Sequence, residues 1–293
     1  MGTSSSGSGA GGSNPLIPSW IPSLGPPDPQ PPSPPQDPPE KPEPDKNPGK
    51  PEPQPLPPNT PPPNSNRYQQ PRRDFNKFVR SKGQDSQAFK DAVRGYSKSA
   101  SGNTRVLARR MQPSAARVVN FYNAINTVKV SGLDAALTTF HLSSYLQRPA
   151  LDVLSALSDE IFKDHTDAFD NTQDDSITRQ AYANTVTRIC EIDDLDLNNL
   201  TNEQIQVMLA IFIEETIAQR VICDIGNGMT ELTSDVDALL EIEDNTYQII
   251  HGLVRTEIMP EIIATQIGDK ENLEQKIENI YRIAFDALAG VNN

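Results

Sequence analysis

Gly2, in the opening run Met1-Gly2-Thr3-Ser4-Ser5-Ser6, is the position of this sequence best suited to nucleophilic chemistry. Removal of the initiator methionine ahead of so small a residue exposes a glycine α-amine. Such an amine titrates near 7.7–8.0, against about 10.4 for lysine, so a sizeable minority is a free nucleophile at neutral pH. Residues 2–13 are glycine, serine and threonine with one alanine and one asparagine, a flexible leader able to thread into another enzyme's active site. The same residues fit the loose N-myristoylation pattern, with Ser6 in its last place. They also fit a leader selected only for solubility.

Elsewhere the usual catalytic spacings are missing. His141, His165 and His251 are the only histidines, none in HExxH spacing and none three residues after a glutamate. No GxxxxGK[ST] or GxGxxG is present to cradle a nucleotide. Two acidic stretches invite a metal reading: Asp164, His165, Asp167 and Asp170 running on to Asp174 and Asp175, and Asp194-x-Asp196-x-Asn198. The second begins like a calcium loop but has Asn199 where the glycine belongs and Ile205 in place of the bidentate glutamate. Both are read as solvated loops and helix N-caps. Cys190 and Cys223, neither in a CxxC pair, are read as small buried hydrophobes. No catalytic residue, metal or cofactor is assigned, and the chain is not expected to be an enzyme.

Charge is distributed unevenly. The net −13 divides into −2 over residues 1–71, +10 over 72–132 and −21 over 133–293. The basic stretch presents Arg72, Arg73, Lys77, Arg80, Lys90, Arg94, Lys98, Arg105, Arg109 and Arg110, with Phe75, Phe78 and Tyr96 between them. Lys90, Arg94 and Lys98 recur every four residues and so share one helical face. Such a face pairs with an acidic partner protein, with this chain's own acidic part, or with a phosphate backbone.

Positioning these groups falls to an all-α irregular bundle preceded by a long disordered arm. Twenty-four of the 27 prolines lie in residues 1–71, where few apolar side chains are present to offset the entropy of ordering. Within the arm, residues 15–24 form an apolar motif around the only tryptophan, with Leu16, Ile17, Trp20, Ile21 and Leu24 as the expected docking residues. Residues 25–63 favour polyproline II, and some 40 residues at about 3.1 Å each reach on the order of 100 Å. Three segments result: the arm over 1–71, a basic helical module over 72–132 and an acidic helical bundle over 133–293.

Helical periodicity begins after Pro71. It predicts helices at 74–80, 85–96, 104–111, 114–128, 133–140, 149–163, 177–192, 202–222, 237–242, 246–258 and 270–289. In the 149–163 segment Leu151, Leu154, Leu157, Ile161 and Phe162 are expected along one buried side. Thr201 and Gln204 form a capping box, and 207–213 is apolar all round, the mark of a central buried helix. Glu214 and Glu215 make that helix unlike a membrane span. No apolar run is long enough to cross a bilayer and no secretory signal is legible, so a cytoplasmic location is expected.

The order MGTSSS, PLIPSW, a proline-rich spacer, RRDFNKFVRSKG, AFKDAVRGY and ARRM resembles the QatB family of the bacterial Qat anti-phage defence systems. The likeness is clearest over residues 1–24 and 71–111. It implies a subunit acting beside a QatA-like ATPase, a QueC-like enzyme (QatC) and a TatD-like nuclease (QatD). A QueC-like enzyme activates a deazaguanine carboxylate with ATP, and the resemblance makes the Gly2 amine a candidate acceptor for the deazapurine. The alternative is a nucleic-acid-binding adaptor that uses the basic module.

Overall fold

A computed structural model describes residues 68–99, 104–163, 173–226, 229, 235–264 and 272–290. Gly2, the Leu16, Ile17, Trp20, Ile21 and Leu24 motif, the spacer and the 164–170 acidic stretch lie outside the described residues. Every regular element among the described residues is helical: α1 (Gln69–Arg80), α2 (Ser86–Ser99), α3 (Thr104–Arg110), α4 (Gln112–Ser131) and α5 (Leu133–Thr139) come first. A 3-10 turn (Ser143–Tyr145) leads to α6 (Ala150–Ala156), α7 (Ser158–Ile161), α8 (Gln173–Cys190), α9 (Asn202–Ile225), α10 (Val236–Ala264) and α11 (Leu273–Ala289). No described helix is long and apolar enough to cross a membrane.

The central helix is α9. Its N-terminus carries the expected capping box: Gln204 N–H donates to Thr201 Oγ1 at 3.1 Å, and Thr201 N–H donates to Gln204 Oε1 at 3.0 Å. From Met208 to Ala218 every side chain is buried, as a helix apolar on all sides requires. Helices α4, α8 and α10 pack around it. Phe121, Tyr182 and Phe212 meet edge to face at 5.4–6.0 Å between centroids where α4, α8 and α9 converge.

Helices α1 and α2 form a hairpin whose seam is the aromatic trio Phe75, Phe78 and Phe89. Pro71 is buried in the first turn of α1 against Gly95. The turn between them passes through Gly83 at φ 79°, a left-handed conformation that favours glycine, with the Asn245 amide close by. Asp85 then caps α2, accepting from Ala88 N–H at 2.9 Å. The apolar core is continuous from this hairpin to α11, taking in Phe75 and Phe89 together with Phe212 and Phe285.

Four details of the expected pattern are corrected. The 149–163 segment is two helices with a bend at Leu157, and Leu151 is 49% exposed. The buried face there centres on Val153, Leu154 and Leu157, and Leu151 lies roughly a third of a turn away from it. The gap foreseen between 242 and 246 is filled: α10 runs on unbroken with Ile242, Thr246 and Ile250 all buried, and the Thr246 hydroxyl is satisfied by the Ile242 carbonyl at 2.7 Å. Cys190 is exposed at the last residue of α8, and Cys223 is half-buried near the end of α9.

Truncating the shared aromatic centre, Phe212→Ala, is expected to lower unfolding stability by about 3–5 kcal/mol. Urea denaturation monitored by circular dichroism checks this; a loss below about 1 kcal/mol would show that α9 is not the centre of the core.

Candidate functional site

Three polar constructions stand out, and α9 contributes to two of them. The first fixes the start of the described chain. Tyr68 packs on Tyr96 of α2 with ring centroids 5.2 Å apart, and its hydroxyl accepts from Arg110 Nη1 at 2.7 Å. Arg72 lies with its guanidinium carbon 6.0 Å from the Tyr68 ring centre and donates through Nε to the Asp224 carbonyl at 3.0 Å. The Asp224 carboxylate accepts from the Tyr96 hydroxyl at 2.8 Å and from Arg110 at 3.4 Å. Burial, and then the Asp224 charge, push the Tyr96 hydroxyl well above its ordinary pKa, so it stays a donor. One turn earlier on α9, buried Arg220 pairs with Asp174 at 2.6 Å. Burial disfavours its charge, but Asp174 outweighs that effect and holds the guanidinium above its ordinary value.

The second construction is the basic surface, and the structure divides its residues by use. Arg72 and Arg110 are half-buried and engaged with Asp224 and Tyr68. Arg94 is exposed, beside Asp91 at 3.8 Å and over the Gly290 turn that ends α11, where a cation opposes the helix dipole favourably. Lys77 is exposed and pairs with Asp74 at 2.6 Å. Arg73, Arg80, Lys90, Lys98, Arg105 and Arg109 are exposed. Arg117 is buried instead, 3.3 Å from Asp175, which also accepts from Arg179 at 2.8 Å. Asp194 and Asp196 sit in the α8–α9 turn, where Asp196 Oδ1 accepts from Asn198 N–H at 2.9 Å.

The third is a charged network that the sequence gives no warning of beyond two consecutive glutamates in an apolar run. Glu214 and Glu215 are 0% and 1% exposed. Arg255 of α10 donates to Glu214 through Nε at 2.6 Å and Nη2 at 3.1 Å. Arg188 of α8 bridges the pair, reaching Glu214 at 2.9 Å and Glu215 at 2.7 Å. His251 Nε2 lies 3.2 Å from Glu215 Oε1 and 3.3 Å from Arg188 Nη1. Asn184 donates to Glu215 and to the Tyr247 hydroxyl, which also accepts from Gln219. A cleft of about 380 Å³ opens beside Arg188, Tyr247 and His251. Burial pushes the Glu215 carboxyl up, but His251 and Arg188 outweigh it and hold its pKa below the ordinary value. His251 and Arg255 are one turn apart on α10, a spacing that makes sense only once the two glutamates face it. No group of three or more His, Cys, Asp or Glu side chains is placed to hold a metal among the described residues.

Comparison with protein families places this helical body among proteins of an anti-phage defence system. The model of the family described as "Qat anti-phage system associated protein QatB" matches residues 102–288, and the chain belongs to that family. The match runs from just before α3 into the last turn of α11, so the arm and the α1–α2 hairpin lie outside it. No curated protein and no solved structure matches the chain. Membership makes the chain a component of the Qat anti-phage system, a multi-component assembly that implies partner proteins.

Glu215→Gln is expected to cost about 1–3 kcal/mol at pH 7, because it takes the carboxylate from His251 and leaves Arg188 paired with Glu214 alone. The folded-state pKa of Glu215 lies below the unfolded value of about 4.3, so its stabilisation is present above that pH and fades as pH falls through the folded value. The gap between wild type and variant in urea midpoints should therefore shrink below pH 4; a gap independent of pH would contradict the pairing.

Proposed function

We propose that the chain is a non-catalytic subunit whose helical body docks partner proteins, a QatA-like ATPase among them, and whose arm presents Gly2. In this reading Gly2 is the acceptor for a deazapurine conjugated by the QueC-like enzyme QatC, with the TatD-like nuclease QatD as a further partner. The observation that carries the reading is the fixing of the chain at Tyr68 and Arg72. A segment that another enzyme must reach gains from a root of constant position, since a fixed root sets the volume its far end searches. Asp224, Tyr96 and Arg110 supply that root from three helices. The amine at Gly2 has the pKa and steric access that nucleophilic attack on an activated carboxylate needs.

Leu16, Ile17, Trp20, Ile21 and Leu24 serve here as the docking motif that brings the modifying enzyme to the terminus. A large aromatic with two torsions is an economical anchor for such a contact. The test is intact mass of the chain purified after co-expression with the other Qat components, followed by fragmentation of its N-terminal peptide. An added deazapurine mass on Gly2, lost when QatC is omitted, is the expected result. An unmodified Gly2 terminus in the complete system would sink the conjugation reading.

A nucleic-acid-binding adaptor is the second reading, favoured by the exposure of Arg73, Arg80, Lys90 and Lys98 on the α1–α2 hairpin. Binding of the full chain to DNA or RNA across a salt series separates the two. A steep loss of affinity with salt supports the adaptor, because neutralised phosphates release counterions. Undetectable or salt-insensitive binding counts against it.

A further inference from the structure

Six large apolar side chains stand exposed among the described residues, and four of them fall into two pairs. Val236 and Leu240, 66% and 60% exposed, sit one turn apart at the start of α10. Asp244, Tyr247 and His251 continue that helical face at three- and four-residue spacing, into the cleft of about 380 Å³. Arg188 and His251, the basic groups of the cleft, are already turned to Glu214 and Glu215. Its open charges are carboxylates. Glu191 has no side-chain hydrogen bond or ion pair among the described residues, and Asp244 accepts only from Gln248 of its own helix. Residues 236–251 hold four carboxylates and no lysine or arginine. The second pair is Leu146 and Leu151, which flank Arg148 where the loop after α5 enters α6. Arg148 is exposed and likewise has no side-chain hydrogen bond or ion pair among the described residues. Residues 141–151 hold no carboxylate. The loop is held in shape: Leu142 N–H donates to Leu137 O at 2.7 Å and Arg148 N–H to Tyr145 O at 3.1 Å.

We infer that these two surfaces bind each other between two copies of the chain, with Arg148 of one copy seated in the α10 cleft of another. Within one copy they do not meet, since all four apolar side chains are exposed and Arg148 is unpaired. They are complementary in both charge and polarity. An apolar pair beside uncommitted carboxylates is matched by an apolar pair beside an uncommitted guanidinium. The guanidinium presents a planar fork to the carboxylate oxygens of Glu191 and Asp244, and Tyr247 offers an aromatic wall beside them. The basic α1–α2 hairpin of a second copy would satisfy only half of this. It exposes Arg73, Arg80, Lys90 and Lys98, but none of the exposed large apolar side chains lies on it. The bonded backbone of the Arg148 loop keeps the ordering entropy of docking small. Because the two surfaces differ, the contact either repeats across a two-fold axis, giving a dimer, or runs head to tail. The inference rests neither on conjugation at Gly2 nor on the other Qat components.

Sedimentation velocity of the full chain across a dilution series tests the pairing, and reversible, concentration-dependent self-association is expected. Arg148→Glu should weaken it on the order of ten-fold or more, because it sets a carboxylate against Glu191 and Asp244. Glu191→Arg combined with Asp244→Arg should do the same from the other side. Mixing the two variants should restore association, since each altered surface then meets its complement and the remaining pair of surfaces is unaltered. Leu240→Ser should weaken it several-fold by removing apolar contact area. Arg148, Glu191 and Asp244 bond no other element of the fold, so these variants should keep the wild-type melting temperature. A chain that stays monomeric at every concentration overturns the inference. So does an association indifferent to Arg148→Glu, or a mixture of the two charge variants that fails to associate.

Discussion

Two adjacent carboxylates in the middle of the most buried helix are the constraint to which the rest of the bundle answers. Glu214 and Glu215 have almost no contact with solvent, and ionised groups in that position are tolerated only when paired and hydrogen-bonded. The partners cannot come from α9 itself. Arg188 must arrive from α8, and Arg255 and His251 from α10, at a rotation and height that bring their side chains to the same two residues. Apolar packing is non-directional, whereas these ion pairs fix both distance and orientation between the helices. One helix, α10, carries both Asn245, which lies beside the Gly83 turn, and, ten residues on, Arg255 at Glu214.

Helix α9 ends in a second polar node. Past the glutamates, Arg220 and Asp224 lie four residues apart, one joined to the start of α8 and the other to Tyr96, Arg110 and the backbone-anchoring Arg72. The +10 stretch and the −21 stretch therefore meet through specific bonds as well as through the shared apolar core. Part of the charge asymmetry visible in the sequence is resolved inside the fold, at Arg72, Arg110 and Arg117. The remainder stays on the α1–α3 surface.

Periodicity and capping made the all-helical class, the α9 N-terminus and the Gly290 stop of α11 legible from the sequence, because each depends on residues within a few positions of one another. The continuity of α10 was not legible: Glu243, Asp244 and Asn245 read as a break when the packing of the helix against α9 is unseen. Leu151 failed for a related reason, since membership of a stripe depends on where the helix bends. Of the site residues, Arg73, Arg80, Lys90 and Lys98 are exposed, whereas the use of Arg72 and Arg110 at Asp224 depends on contacts 114 to 152 residues away in the chain. The Arg188–Glu214–Glu215–His251 network lies beyond sequence reasoning for the same reason. Three helices each contribute residues that look ordinary alone.

Tyr68 has one more consequence, and it is mechanical. A pull on the chain at this point is borne first by the Tyr68 ring on Tyr96, by Arg110 at its hydroxyl and by Arg72 on the Asp224 carbonyl. Those contacts lead to the last turns of α9, so the load passes to the central helix of the bundle and is not left to peel α1 away from α2. The first described residue is thus bound, through Tyr96, Arg110 and Arg72, to the helix at the centre of the bundle. Tension applied at Tyr68 would reach the Glu214–Glu215 network through a single continuous helix.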